Sequence, residues 1–202
     1  ATLSGDVDVT TLTVGNTVLN VAFTGNGSSV ANAVSFANDG TLELGNATGD
    51  TLTFNGGLTT TSVAGTVTLQ GTIATSNDAV VLGAVTLASA TTVDTNATNN
   101  TADITVAAIT GGSQNLTLST GNNINAADID VSGAISGLGN LTLADVGGTA
   151  TFNNNVAAAA LSANNTVANI TFTGSTNTFS AASTLANDGN LIFGNATGDS
   201  FT

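Results

Sequence analysis

The sequence predicts an all-β fold, a parallel β-solenoid of about nine coils. Short strings in which apolar and polar residues alternate recur along the chain, as strands with one buried face require. Similar strings lie 21 to 25 residues apart, a spacing typical of solenoid repeats. Between them lie corners rich in Gly and Asn, which tolerate left-handed backbone and supply local hydrogen bonds.

Eight four-residue strings carry the strand pattern. Their β-branched and aromatic residues suit a half-buried pleated surface. VAAAALSA at residues 156–163 has helical propensity, but it occupies a position that strand-like residues hold elsewhere, so we predict a strand. We also expect Asn and Thr to form hydrogen-bonded ladders along the axis. The strings are TLEL from Thr41, TLTF from Thr51, TVTL from Thr66, AVTL from Ala84, NLTL from Asn115 and Asn140, NITF from Asn169 and NLIF from Asn190.

The alternative fold is a tandem array of antiparallel β-sandwich repeats. It would require turn signals every 8 to 12 residues, about the spacing of a sandwich, and these are present in part. Such domains usually carry Pro, Trp or Tyr, and the chain has none of the three. This composition favours the solenoid.

A long repeat organises the chain. GNATGD occurs at residues 45–50 and again 149 positions later, at 194–199, and ANDG precedes both copies. Residues 1–53 align with 150–202 without a gap, with 24 of the 53 positions identical. We predict that residues 1–149 are one full copy of roughly seven coils and that 150–202 begin the next. No polar cap is visible, so we expect neighbouring repeats of the same chain, or other copies end to end, at both ends.

The composition excludes several functions. The chain has no Lys, Arg or His and a net charge of −13. Nucleic-acid phosphate is normally neutralised by Lys and Arg, so a nucleic-acid partner is not expected. Anionic lipid is disfavoured for the same reason, and no apolar run approaches the length that spans a bilayer.

The residue types also argue against an enzyme. Nucleophilic catalysis needs a proton acceptor, usually His, beside the nucleophile, and His, Lys, Cys and Tyr are all absent. Paired carboxylates remain, because residues i and i+2 of a strand face the same side. The candidates are Asp6 with Asp8, and Asp128 with Asp130.

Metal binding is the other role open to these carboxylates. Asp50 and Asp199, which end the two GNATGD strings, join the four above as candidate ligands. Calcium takes oxygen ligands of this kind, so Ca²⁺ is the one cofactor to consider, and otherwise none is expected. The alternative for each Asp is a hydrogen-bonded turn or a solvated corner.

Threonine strings raise the idea of ice binding, for which flat hydroxyl arrays would be needed. TLT at Thr11, TTT at Thr59 and TVT at Thr66 are examples. Because this motif does not recur at one fixed coil position, we interpret Thr as a strand former on a solvated face.

Two longer strings carry a family resemblance. GNLTLADVGGTATFNNNVAAAAL at 139–161 and NITFTGSTNTFSAASTLANDGNLIFGNATGD at 169–199 resemble the repetitive passenger regions of large bacterial autotransporter-type surface proteins. Rickettsial outer-membrane surface antigens are the nearest in style, and filamentous-haemagglutinin-like adhesins are a broader comparison. The likeness covers nearly the whole chain. It implies a right-handed β-helix at the bacterial cell surface, and it transfers no site residue.

These observations predict a structural segment of an extracellular, repetitive surface fibre, stalk or filament. An adhesin passenger that binds host or surface glycans or proteins, or a component of a surface layer, remains the alternative.

Overall fold

A computed structural model describes residues 1–122 and 126–202, and within them the chain forms strands and turns but no helix. Accordingly, this part of the chain contains no helix long and apolar enough to cross a membrane. The strands are β1 (Thr2–Leu3), β2 (Asp8–Val9), β3 (Val21–Phe23), β4 (Gly27–Val30), β5 (Val34–Ser35), β6 (Leu42–Leu44), β7 (Thr51–Phe54), β8 (Leu58–Thr59), β9 (Val67–Ala74), β10 (Val80–Asp94), β11 (Ile104–Thr110), β12 (Leu116–Asn122), β13 (Ile129–Val131), β14 (Ile135–Val146), β15 (Thr149–Phe152), β16 (Val156–Ala163), β17 (Asn169–Phe172), β18 (Thr176–Phe179), β19 (Thr184–Leu185), β20 (Leu191–Phe193) and β21 (Ser200–Phe201).

The strands stack in three parallel ladders, which we call faces 1, 2 and 3. Face 1 contains β1, β3, β6, residues 67–69, 85–87, 109–110, 135–138 and 156–158, β18 and β21. Face 2 contains β2, β4, β7, residues 71–74 and 91–94, β12, residues 140–144 and 160–163, and β19. Face 3 contains Val14, β5 with Phe36, β8, residues 80–82 and 104–106, β13, β15, β17 and β20.

This arrangement confirms the parallel β-solenoid of about nine coils. Within the described residues the chain passes face 1 ten times and faces 2 and 3 nine times each. All strand pairings there are parallel, so the antiparallel sandwich alternative is wrong. The segment at 156–163 is a strand, as predicted, and it contributes to two faces.

Alternation with period two fills the narrow interior. On face 2 one column of side chains points inward in six successive coils and is almost fully buried. The neighbouring column points outward and carries a hydroxyl in each coil. The inward column is Leu52, Ile73, Val93, Leu118, Leu143 and Ala163; the outward one is Thr51, Thr72, Thr92, Thr117, Thr142 and Ser162.

All eight phenylalanines lie in two interior clusters. Phe23, Phe36 and Phe54 come from faces 1, 3 and 2, and their ring centroids lie 5.9 to 6.3 Å apart in edge-on pairs. Edge-on and offset aromatic pairs stabilise a core beyond the area they bury. The second cluster contains Phe152, Phe172, Phe179, Phe193 and Phe201.

The long repeat does not contain a whole number of coils. Val21 on face 1 corresponds to Ile170, which lies on face 3. On face 1, Val156 lies six coils after Val21. The chain then passes face 2 and reaches Ile170 on face 3, which adds two thirds of a coil. The repeat therefore spans six and two-thirds coils, rather than seven, and each feature moves to another face in the next copy. The column on face 1 is Val21, Leu42, Val67, Val85, Ile109, Ile135 and Val156.

Local hydrogen bonds nevertheless repeat at the same interval. The side-chain amide of Asn38 donates to the backbone carbonyls of Leu19 and Gly40. The side-chain amide of Asn187 donates to those of Ala168 and Gly189 in the same way. Repeated sequence therefore forms the same corner, although the corner lies on a different side of the solenoid. The structure supports a repeat, and the division into 1–149 and 150–202 stays a prediction.

Candidate functional site

GNATGD forms a corner that its own carboxylate closes. Gly45 begins the corner with φ of +81°, a left-handed conformation that glycine adopts without strain. The Oδ2 atom of Asp50 then accepts hydrogen bonds from the backbone N–H groups of Asn46, at 2.7 Å, and Ala47, at 3.0 Å. This is the hydrogen-bonded turn that the sequence offered as the alternative to a metal ligand.

The second copy repeats this geometry. Gly194 has φ of +80°, and Asp199 Oδ2 accepts from Asn195 at 2.8 Å and from Ala196 at 3.0 Å. The first corner lies between faces 1 and 2, whereas the second lies between faces 3 and 1. The two aspartates are therefore not brought together into one site.

The first corner is also covered by the following coil. Gln70 donates to the carbonyl of Gly45 at 3.2 Å, and the N–H of Thr72 donates to the carbonyl of Asp50 at 2.8 Å. As a result Asp50 is only 3% exposed, whereas Asp199, at the end of residues 1–202, is half-buried.

Three of the other four candidate carboxylates accept hydrogen bonds from neighbouring coils. Asp6 accepts from the N–H of Gly27 at 2.8 Å, and Asp128 accepts from the N–H of Thr149 at 2.7 Å. Asp130 accepts from the side-chain amide of Asn153. Asp8 is exposed on face 2.

The sequence did not predict how often an Asn or Asp side chain accepts a hydrogen bond from the backbone of the next coil. The side-chain oxygen of an Asn or Asp just before a strand accepts a hydrogen bond from the backbone N–H one coil later. Examples are Asn20 to Thr41 at 2.9 Å, Asn115 to Asn140 at 2.8 Å and Asp103 to Asp128 at 2.8 Å. The predicted Asn ladders exist in this form, with the backbone as the partner. Their sequence signal was the Asn that opens NLTL at residue 115 and NITF at residue 169.

The described residues contain no cluster of side chains suited to binding a metal ion. Among residues 1–122 and 126–202, no group of three or more His, Cys, Asp or Glu side chains is placed to hold a metal ion. Calcium binding at the six aspartates stays a prediction.

One hydroxyl column does recur at a fixed coil position. It runs up face 2 from Thr51 to Ser162 and continues to Thr184. The position two residues further along holds Thr53, Ala74, Asp94 and Ser119 in successive coils, so the hydroxyl array is one residue wide. The Thr-x-Thr motif itself does not recur in these coils, as expected, since Thr72 and Thr92 are followed two residues later by Ala74 and Asp94. The single hydroxyl column was not predicted, because corners of unequal length hide it in the sequence.

The two ends of the solenoid expose the interior. At the carboxyl end, Phe193 is 48% exposed beside a hollow of about 280 Å³ lined by Leu161, Phe179, Leu185 and Phe201. At the amino end, Val9 is 40% exposed, although its ladder partner Val30 is fully buried.

Comparisons of the chain with models of known protein families, with curated proteins and with solved structures gave no match.

Proposed function

We propose that this chain is a structural segment of an extracellular, repetitive fibre or stalk, in which further repeats continue the solenoid along its axis. The observation that carries the proposal is that the second copy of the repeat continues the solenoid of the first without a break. β15, at the junction of the two copies, pairs in parallel with β13 before it and with β17 after it. The inward apolar side chains of these three strands are almost fully buried.

At this junction each coil packs on another coil of the same solenoid, with parallel register and apolar inward side chains. Each added coil buries apolar surface on its neighbour. A longer array of these repeats is therefore held together by the same contacts along its length.

The composition suits a durable external structure. Trypsin-like proteases cleave after Lys or Arg, and the chain has neither. Hydrogen bonds between side chains and the next coil hold the coils together without Lys–Asp or Arg–Asp ion pairs. Together with the family resemblance, this supports a position at the bacterial cell surface as part of the proposal.

Tandem arrays test the proposal. Residues 1–149 are joined in one, two or four copies ahead of 150–202, which reproduces the junction that the chain already contains. Negative-stain microscopy should show straight rods that lengthen by about 32 Å per added copy, since coils lie about 4.8 Å apart. The melting temperature should rise with copy number, because fewer coils lie at an end. Flexible beads of constant size would contradict a continuous fibre.

A further inference from the structure

The chain contains nine Asn-x-Ser/Thr strings, all within the described residues. This tripeptide is the acceptor motif for N-linked glycosylation, in which the side-chain amide of Asn receives a sugar. A transferase has to reach the whole tripeptide, so the strings can be sorted by how much of each one the folded chain exposes. They begin at Asn26, Asn46, Asn96, Asn99, Asn115, Asn140, Asn164, Asn169 and Asn195.

Three of the strings run into strands, and the strand geometry hides their middle residue. Leu116, Leu141 and Ile170 point into the core and are at most 2% exposed. Asn115 and Asn169, which open two of these strings, also accept hydrogen bonds from the next coil at 2.8 and 3.0 Å. A transferase could reach these strings only after the strand leaves its ladder.

Four further strings each contain a residue that the fold covers. Ser28 is 6% exposed and Ala97 is 0% exposed. Asn99 is half-buried, and its side chain donates to a backbone carbonyl of the preceding coil at 3.2 Å. Thr166 is half-buried, and its hydroxyl accepts from the N–H of Asp145 at 3.0 Å. In each of these strings, therefore, part of the motif is covered.

The two copies of GNATGD present the whole motif to solvent. Asn46, Ala47 and Thr48 are all exposed. The carboxylate of Asp50 binds the backbone N–H groups of the first two residues, which fixes the corner without using the side chain of Asn46. A Cβ atom on Gly49 would meet no atom within 4 Å, so the space beside the motif is open.

The exposure of Asn46 belongs to the solenoid itself, because coils lie on both sides of its corner. The N–H of Gly45 donates to the carbonyl of Phe23 in the preceding coil, and Gln70 in the following coil donates to the carbonyl of Gly45. Asn195 opens the same string 149 residues later. One such corner therefore recurs in each copy of the repeat.

We propose that Asn46 is an acceptor site for N-linked glycosylation and that Asn195 is its counterpart in the second copy. The donor is a sugar with a phosphate or diphosphate leaving group on its anomeric carbon. The Nδ2 atom of Asn46 bonds to that carbon as the bond to the phosphate oxygen breaks, and a base of the transferase takes a proton from Nδ2. The inference goes beyond the fibre proposal, because the site lies in one corner of a single chain.

Transfer of sugar to the folded chain tests the site. The chain is incubated with a soluble transferase that uses a nucleotide-activated sugar, or with a membrane transferase that uses a lipid-linked oligosaccharide, so that the two arms identify the donor. Each enzyme is first shown to modify short synthetic peptides of the nine strings. Because the chain has no Lys or Arg, a protease that cleaves before Asp replaces trypsin, and mass spectrometry of its peptides locates the sugar.

Asn46 and Asn195 should react as fast as they do in their peptides. The other strings should react at least about tenfold more slowly than their peptides, since their coils must first open locally. Equal rates at Asn46 and Asn115 in the folded chain would overturn selection by exposure. An Asn46 that stays unmodified in both arms, although its peptide reacts, would overturn the proposal, whereas the tandem arrays test the fibre separately.

Thr48→Ala is the matched substitution, because it removes the hydroxyl of the motif and keeps Asn46 and its bond to Asp50. It should abolish transfer to Asn46 and leave transfer to Asn195 unchanged in the same molecule. Transfer to Asn46 that persists would contradict recognition of the motif. In protein purified from its native cells, the peptide 39–49 should carry the mass of a sugar, and an unmodified peptide would overturn the site.

Discussion

Single carboxylates stabilise the corners of this protein. Asp50 is buried, and one of its oxygen atoms accepts from two backbone N–H groups. We predict that Asp50→Ala lowers the free energy of unfolding by about 1 to 3 kcal/mol, because buried donors lose their acceptor. Asp50→Asn should cost less, since an amide oxygen can occupy the position of Oδ2. Chemical denaturation followed by circular dichroism measures both.

Asp199→Ala is the matched control. Asp199 makes the same two hydrogen bonds, but it is half-buried and its backbone donors can turn to water. A smaller loss of stability is expected. If Asp199→Ala costs as much as Asp50→Ala, burial by the next coil is not what makes the first corner important.

Some of this detail could be predicted from sequence and some could not. A hydrogen-bonded turn at GNATGD could be offered as the alternative to a metal ligand because Gly, Asn and Asp have known local preferences. The partners of Asp6, Asp103 and Asp128 could not be found in this way. They depend on which backbone N–H lies one coil later, and that interval varies between 21 and 25 residues.

Strands bend between faces at particular glycines. In β9 the chain passes from face 1 to face 2 at Gly71, where φ is +72°. A Cβ atom there would lie 2.5 Å from the carbonyl oxygen of Asp50 in the preceding coil. Gly71 thus allows one continuous strand to form parts of two faces and to approach the first corner closely.

Gly71→Ala should therefore destabilise the solenoid by about 2 kcal/mol or more. A left-handed conformation costs an ordinary residue roughly 1 to 2 kcal/mol, and the close contact adds to that. Gly49→Ala, in the same corner, is the control because its Cβ would meet no atom within 4 Å. Thermal unfolding of both variants measures the difference, and similar melting temperatures would contradict this role for Gly71.

Period-two alternation was enough to place eight strings in strands, among them β6, β7 and β17, but not to predict the face to which each one belongs. Corner lengths differ, so β9 turns at a single glycine whereas β10 and β11 are separated by nine residues. The sequence therefore predicted the number of coils well, yet placed seven coils in a repeat that contains six and two-thirds. Resolving that fraction required the ladder pairs themselves.

The fractional repeat determines how the proposed fibre would present its surface. Each copy of 149 residues advances by two thirds of a turn, so GNATGD would lie on a different edge in three successive copies. It would return to its first edge after three copies, which is 20 coils, or about 96 Å along the axis. In such a fibre, one side would therefore present this corner once in three copies.

Labelled arrays make this rotation measurable. In a four-copy array, cysteine replaces Asn46, which is exposed, either in copies 1 and 2 or in copies 1 and 4, and carries a gold label. Labels on copies 1 and 4 should project from the same edge about 96 Å apart, because 20 coils separate them. Labels on copies 1 and 2 should project from different edges about 32 Å apart along the axis. If electron microscopy shows both pairs on the same edge, the repeat contains a whole number of coils and the rotation between successive copies is absent.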